Sequence, residues 1–205
     1  MSTKQTINIG LLGAGTVGSG VLELLQKNSS SITQKVGETI RVTRIFVRNL
    51  EKHVALREEY ALTTNIDDVL NDPEIDIVVE LMGGEEPART MMLEALRHKK
   101  HVVTANKDVV AKFGRELFEA AEENQVDFLF EASVGGGIPI IRPLKQCLAA
   151  NKIHEVMGIV NGTTNYMLTR MSQDDMEFAE ALAEAQAKGY AEADPTADVG
   201  GLDAA

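Results

Sequence analysis

Three glycines spaced G-x-G-x-x-G between residues 13 and 18 are the first feature with recognisable chemistry. They follow an apolar run at 7–12 and precede apolar residues at helical spacing. The first glycine permits a tight turn, the second lets a pyrophosphate approach the backbone, and the third allows close helix packing. The pattern predicts a dinucleotide-binding turn, with a strand–helix turn that binds nothing as the alternative. Its residues are Gly13, Ala14, Gly15, Thr16, Val17 and Gly18.

Arg48 follows the second predicted strand, residues 41–47. NAD-binding sequences commonly place an Asp or Glu here, where the carboxylate bonds the ribose 2′-hydroxyl. A guanidinium cannot accept that bond, but it attracts a 2′-phosphate. Arg48 therefore favours NADP, with NAD still open, and a solvated arginine at a strand end is the alternative.

Lys107 comes shortly after another apolar run, residues 101–104. The carboxyl edge of an open α/β sheet is where ligands bind. Lys107 is therefore a candidate to meet a substrate or the cofactor. A surface lysine in a loop explains the position equally well.

Glu131 precedes three consecutive glycines, residues 135–137. Irregular glycine backbone leaves carbonyl oxygens open, and oxygen-rich sites hold hard cations. A cation site is one interpretation. A glycine hinge between domains is the other, and the spacing alone favours it.

The carboxyl-terminal end of the chain is strongly acidic. Residues 172–205 hold nine of the 31 acidic side chains and a single basic one, Lys188. Carboxylates between Glu192 and Asp203 could receive a cationic group such as a substrate ammonium, although acidic clusters are more often solvated. The net charge of −11 argues against a nucleic-acid partner.

Strand-like runs alternate with helical periods over the first two thirds of the chain. The runs lie at 7–12, 41–47, 75–81, 101–104 and 126–134, with helical segments at 17–27, 66–70, 87–99 and 109–124. This alternation predicts an α/β fold, a Rossmann-type doubly wound parallel sheet. We expect this domain to span 1–139. Residues 140–205 then begin an incomplete α+β domain with a helix at 140–151 and a strand at 154–160.

Two features of composition indicate the compartment. Cys147 is the only cysteine, which excludes a disulfide framework and fits a reducing cytoplasm. No run approaches the ~18 apolar residues that a membrane span requires. We therefore expect a cytoplasmic protein with no membrane partner.

Taken together, five segments resemble the homoserine dehydrogenase family. That family reduces L-aspartate 4-semialdehyde to L-homoserine with NADPH or NADH, on the route to threonine, methionine and isoleucine. The last three segments are more specific than the glycine pattern because they lie outside the generic nucleotide fold. The five are 10–18 (GLLGAGTVG), 103–107 (VTANK), 131–139 (EASVGGGIP), 161–166 (NGTTNY), and 189–195 with 201–203 (GYAEADP and GLD).

The resemblance implies roles for particular residues. The glycine turn with Arg48, Lys107 and Gly189 would contact the cofactor, and Lys107 would also border the reacting centre as a catalytic residue. Glu192 and Asp203 would hold the amino end of the substrate. The full-length protein would be a homodimer. A sodium ion would be bound by Glu131, Val134, Gly136 and Ile138.

The resemblance also implies an absence. In the family, a lysine shortly after the position of Asp203 is taken as the proton donor, and this chain ends before it. We therefore expect little or no turnover from these 205 residues alone. Two other interpretations stay open, namely a non-catalytic NADP-binding module and a different amino-acid reductase with the same first domain.

Overall fold

The computed structural model describes residues 6–191 and 194–204. Its contacts divide the chain into two units, the first ending at Leu148 and the second beginning at Ala149. The boundary expected at 139/140 stays a prediction.

The first unit is built on one parallel sheet. Its order in the described residues is β3-β2-β1-β4-β5-β6, so the chain moves outward in one direction from β1 and then crosses back to continue on the other side. This is the doubly wound order of dinucleotide-binding folds, and its switch point lies between β1 and β4. The strands are β1 (Thr6–Leu12), β2 (Thr39–Phe46), β3 (Ala61–Thr63), β4 (Ile77–Glu80), β5 (His101–Thr104) and β6 (Phe128–Leu129).

Helices connect these strands and cover both faces of the sheet. A 3₁₀ helix over Leu50–Glu58 joins β2 to β3. A second 3₁₀ helix, Glu131–Ser133, and a π-helical turn, Pro143–Cys147, follow β6. The α-helices of this unit are α1 (Thr16–Lys27), α2 (Ser29–Val36), α3 (Asp67–Leu70), α4 (Ala88–Arg97) and α5 (Lys107–Asn124).

Successive residues of a strand point to opposite faces, and this alternation creates two cores. Leu11 and Leu12 are both fully buried, but they belong to different clusters. Leu11 packs in the cluster that contains Leu22 of α1. Leu12 packs in the cluster that contains Met92 of α4 and Leu117 of α5. Burial on both faces explains why β1 is almost entirely apolar, with an uninterrupted buried stretch over its last four residues.

The sequence predicted the sheet correctly but missed some of its edges. β3 was not predicted, because three residues are too few to show an apolar period. The strand predicted at 126–134 is formed only at Phe128–Leu129, and a 3₁₀ turn begins at Glu131. The helix predicted at 140–151 is reduced to a short helical segment that ends at Cys147.

The second unit is helical in the part of it that the structure describes. Its helices are α6 (Gly162–Asp174), α7 (Phe178–Ala187) and α8 (Thr196–Val199). Met167, Ala181, Ala185 and Ala191 form its buried cluster. The strand predicted at 154–160 is wrong, because this segment forms no regular secondary structure and its apolar side chains are largely exposed. A strand needs a partner to complete its hydrogen bonds.

No helix within the described ranges combines the length and the apolar character needed to cross a membrane.

Candidate functional site

The three glycines of the turn after β1 differ in how a side chain at their position would be accommodated. Gly13 has φ +97°, and a Cβ there would lie 2.9 Å from the Leu81 carbonyl oxygen. Its N–H donates to the Phe46 carbonyl over 2.9 Å, which joins the ends of β1 and β2. A Cβ on Gly18 would lie 2.3 Å from the Gly13 carbonyl oxygen. A Cβ on Gly15 would meet nothing within 4 Å, so no packing within the described residues accounts for this glycine.

Helix α1 begins directly at this turn. Gly15 is its N-cap residue, no side chain caps it, and its first turn carries no acidic residue. Its first N–H groups and the positive end of the helix dipole are therefore available to an anion. Exposed Gly15, Thr16 and Val17 leave that end open. An open helix N-terminus of this kind is a common binding position for a phosphate group.

Arg48 is the second residue after β2, at the same carboxyl edge of the sheet. It is exposed, whereas the preceding Val47 is buried. Its side chain makes no ion pair with any other residue that the structure describes. The guanidinium is therefore not committed to a carboxylate of the fold and is available to a phosphate.

Glu80 is the last residue of β4 and is completely buried. One of its carboxylate oxygens, Oε1, accepts from the backbone N–H groups of Met82 (2.8 Å) and Gly83 (3.2 Å). The other, Oε2, accepts from the Thr104 hydroxyl over 2.6 Å. Glu80 therefore fixes the loop after β4 to the end of β5.

Asn106 continues this network to helix α5. Its N–H donates to the Thr104 hydroxyl (3.0 Å), and its side-chain amide donates to the Gly84 carbonyl (2.7 Å). Its Oδ1 accepts from the Val109 N–H over 3.2 Å, which makes Asn106 the N-cap of α5. Lys107, the first residue of that helix, is exposed. The network thus sets the start of the helix from which Lys107 projects.

Glu131 has a structural role that the sequence did not reveal. Its Oε1 accepts from the N–H groups of Ile140 (2.6 Å) and Ile141 (3.0 Å), and its Oε2 accepts from that of Arg142 (2.7 Å). The bond from Ile140 contributes most to lowering the pKa of the carboxyl group. Glu131 therefore closes the glycine loop, in which residues 135–137 all have positive φ.

Two acidic residues of the second unit, Asp198 and Asp203, are both bonded to Asn161. Its Nδ2 donates to Asp198 Oδ1 (2.7 Å) and Asp203 Oδ2 (2.8 Å), while its Oδ1 accepts from the Thr164 N–H (2.8 Å). Asn161 is thereby the N-cap of α6. A cavity of about 450 Å³ is lined by Asn161, Asp198 and Asp203 together with Gly162, Thr163, Tyr166 and Tyr190.

An ion-pair network supports one wall of this cavity. Glu184 bonds Arg170 (3.0 Å) and Lys188, and Lys188 also bonds the Tyr166 hydroxyl (2.8 Å). The hydrogen bond from Lys188 is the main cause that lowers the pKa of Glu184 from 4.5 to about 2. Tyr166 in turn packs edge-on against Tyr190, with ring centroids 5.0 Å apart.

The remaining predicted site residues lie in different parts of the chain and are not all described by the structure. Gly189 is exposed, with φ +74°, just after α7. Glu192 lies outside the described residues. Val134, Gly136 and Ile138 follow Glu131 on the glycine loop, and no cluster of three or more His, Cys, Asp or Glu able to hold a metal occurs in the described ranges. Lys107 belongs to the first unit and Asp203 to the second.

The parallel sheet, its switch point and the open glycine turn define a dinucleotide-binding protein of the Rossmann type. Comparison with models of known protein families then identifies the family to which the chain belongs. Residues 13–131 match the model of the NAD-binding domain of homoserine dehydrogenase, and residues 139–205 match the homoserine dehydrogenase model. The chain belongs to the homoserine dehydrogenase family, a family of oxidoreductases, and carries its nicotinamide-dinucleotide-binding domain.

Individual relatives agree with this assignment. The homoserine dehydrogenase of Synechocystis is 54% identical over 203 residues, which is 98% of this chain and 46% of that protein. That of Bacillus subtilis is 50% identical, covering 98% of this chain and 47% of that protein. The chain therefore spans about half the length of the curated relatives it matches.

Solved structures agree as well. A homoserine dehydrogenase from Thiobacillus denitrificans matches with a TM-score of 0.90 and 54% identity, over 97% of this chain and 46% of that one. A hyperthermophilic archaeal homoserine dehydrogenase in complex with NADPH matches with a TM-score of 0.82 and 28% identity, over 97% and 66%.

Sequence reasoning missed the role of Glu80 and Asn106, which connect the loops at the sheet edge. A carboxylate within the apolar run at 75–81 was an available signal, because a buried charge requires hydrogen-bond partners. Asp198 lies in the acidic stretch between Glu192 and Asp203 that the sequence singled out, but its bond to the Asn161 amide was not predicted.

Proposed function

We propose that this chain supplies the NADP-binding residues and part of the substrate-binding residues of a homoserine dehydrogenase. The proposed reaction is the reversible reduction of L-aspartate 4-semialdehyde to L-homoserine. The uncapped N-terminus of α1 at the open Gly15 turn, in a chain of this family, is the observation that carries the proposal.

Arg48 supports NADP over NAD as the cofactor. The guanidinium stands at the end of β2, where a carboxylate would favour the ribose hydroxyls of NAD. Arg48 is exposed and makes no ion pair with the described residues, so it can bind a 2′-phosphate. The archaeal relative solved with NADPH is consistent with this choice.

The residues of the chain would divide the remaining work between them. When bound, the cofactor supplies or accepts the hydride. Lys107, at the start of α5, would place a positive charge near the reacting carbonyl oxygen, where it stabilises developing negative charge. Asp203, together with Glu192, would bind the ammonium group of the substrate. The side-chain amide of Asn161 fixes the position of Asp203.

A sodium ion at the glycine loop is also part of the proposal. Glu131 would supply one carboxylate oxygen, and the backbone carbonyls of Val134, Gly136 and Ile138 would supply others. Glu131 Oε2 accepts a single hydrogen bond from the described backbone, so it retains an acceptor position for a cation. A higher melting temperature in NaCl than in equal KCl, lost in Glu131→Gln, would support this site.

The proposal extends to assembly and compartment. A homodimer is proposed for the full-length enzyme, and the cytoplasm for its location. The free, exposed thiol of Cys147 supports a reducing compartment. Sedimentation of a protein as long as the relatives would test the dimer.

Titration of the chain with NADPH, followed by NADPH oxidation with aspartate semialdehyde, tests the function. We expect the 205-residue chain to bind NADPH with little turnover, and a protein extended to the length of the relatives to be active. NADPH binding without activity in either protein would instead favour a non-catalytic NADP-binding module. Turnover without preference for aspartate semialdehyde would favour another reductase.

A further inference from the structure

We propose that Glu80 is a positioning residue for the cofactor crevice, acting through Thr104 and Asn106. The inference rests on the proposed function, since the ligand it concerns is NADPH. Glu80 is expected to touch neither cofactor nor substrate, because it is completely buried. Its effect would come from the backbone that it holds.

The loop held by Glu80 lies beside the glycine turn. The Leu81 N–H donates to the Leu12 carbonyl over 2.8 Å. The Leu81 carbonyl oxygen is the atom that would clash with a Cβ on Gly13. Because β1 and β4 are neighbours at the switch point, this loop borders the crevice where dinucleotides bind.

Side-chain hydrogen bonds hold three consecutive residues of this loop, 82–84. Glu80 Oε1 bonds the N–H groups of Met82 and Gly83, and the Asn106 side chain bonds the carbonyl of Gly84. Gly83 and Gly84 both have positive φ, and a Cβ on either would meet nothing within 4 Å. Gly83 and Gly84 have no side chains that could pack and fix the loop. The hydrogen bonds from Glu80 and Asn106 therefore hold its backbone conformation.

The Thr104 hydroxyl transmits this order to α5. It has one hydrogen, which it donates to Glu80, and it accepts the N–H of Asn106. The direction of both bonds is thereby determined. Losing the Glu80 acceptor would disturb Asn106, and Asn106 holds both Gly84 and the start of the helix that carries Lys107.

Lys100 offers a matched control in the same sheet. It is also buried, at 4% exposure, and its Nζ donates to the backbone carbonyls of Asp72 (2.6 Å) and Ile75 (2.9 Å). It precedes β5, at the amino edge of the sheet, whereas Glu80 ends β4 at the carboxyl edge. Both residues are buried charged groups that hold loop backbone, but only the loop held by Glu80 lies beside the crevice.

The experiment measures the NADPH dissociation constant and the melting temperature of four variants of the chain. We expect Glu80→Gln and Thr104→Val each to raise the dissociation constant about tenfold, since each leaves buried polar groups unpaired beside the crevice. Thr104→Ser should restore binding because it retains the hydroxyl. Lys100→Met should lower the melting temperature while leaving the NADPH dissociation constant near that of the unsubstituted chain.

The outcomes separate this inference from the proposed function. Absence of NADPH binding by the unsubstituted chain would overturn the proposed function and this inference with it. NADPH binding that Glu80→Gln and Thr104→Val leave unchanged, or that Lys100→Met weakens equally, would overturn the inference alone. Should Glu80→Gln fail to fold, the comparison of Thr104→Val with Thr104→Ser decides.

Discussion

The side-chain amide of Asn161 donates a hydrogen bond to the Asp203 carboxylate over 2.8 Å, across 42 residues of sequence. The same nitrogen also bonds Asp198, so one amide group holds two carboxylates beside each other. The N-cap of α6 and the acidic residues of the cavity are therefore one hydrogen-bonded unit.

Asn161→Asp tests that unit, because aspartate still accepts the cap hydrogen bond but cannot donate to the two carboxylates. Three carboxylates in proximity raise one another's pKa. We expect a lower melting temperature than the unsubstituted chain at neutral pH. The difference should shrink as the pH falls and the carboxylates become protonated.

Asn165→Asp is the control for this change, since it adds a carboxylate at an exposed position on the same helix. It should leave the melting temperature nearly unchanged across the same pH range. A pH-independent loss in Asn161→Asp would show that the carboxylates do not interact.

The glycines of α1 and its turn predict three different effects of alanine. Gly18→Ala should destabilise the fold by about 1–3 kcal/mol, because its Cβ would overlap the Gly13 carbonyl. Gly20→Ala has free space in the helix and should stabilise it by about 0.5–1 kcal/mol. Gly15→Ala should lower stability by no more than about 1 kcal/mol, the cost of alanine at an N-cap, and should weaken NADPH binding. Urea denaturation and NADPH titration measure the two quantities, and full affinity in Gly15→Ala would contradict the open-turn argument.

Arg48→Ala tests the choice of cofactor. If the guanidinium binds a 2′-phosphate, its loss removes a charge-assisted interaction of about 1.5–3 kcal/mol, or roughly 10- to 100-fold in the NADPH dissociation constant. The NADH dissociation constant should change little. Arg41→Ala, at the amino end of β2, is the control. Equal losses of affinity for NADPH and NADH in Arg48→Ala would show that Arg48 does not bind the 2′-phosphate.

The lowered pKa of Glu184 should make the stability of the second, helical unit depend on pH. Its pKa in the folded chain is about 2, below its ordinary value of 4.5, chiefly because of the bond from Lys188. A depressed pKa stabilises the folded state above the unfolded pKa, and this contribution is lost as the pH falls from about 4.5 towards 2. Glu184→Gln should therefore be less stable than the unsubstituted chain at pH 7, and the gap should close in acid. A gap that persists at the lowest pH would point to packing as the cause.

Glu131→Gln should loosen the segment after the glycine loop. The carboxylate accepts three backbone N–H groups, and the amide would retain a single weaker acceptor oxygen. Amide hydrogen exchange at Ile140 and Arg142 should become faster. Because the pKa of Glu131 is lowered, the difference should be present at neutral pH and fade as the carboxylate is protonated. Glu122→Gln, exposed on α5, is the control.

Local features were predictable because they depend on neighbouring residues. The glycine turn needs Gly13, Gly15 and Gly18 at fixed spacing, and β1 and α1 show their periods within a few residues. Burial of β1 on both faces followed from its near-continuous apolar run. The short edge strands β3 and β6 were missed or overextended, because two or three residues carry no readable period.

The sequence by itself determined the parallel α/β fold, the dinucleotide-binding turn and the family, since each depends on motifs read along the chain. Only the tertiary structure decided which polar groups meet. Glu80 bonds Thr104 across 24 residues, and Asn161 bonds Asp203 across 42. These pairs depend on strand order and helix packing, which bring distant residues together. The spacing of residues along the chain does not encode such contacts. A strand likewise needs a hydrogen-bonding partner from elsewhere in the chain, and the segment 154–160 has none among the described residues.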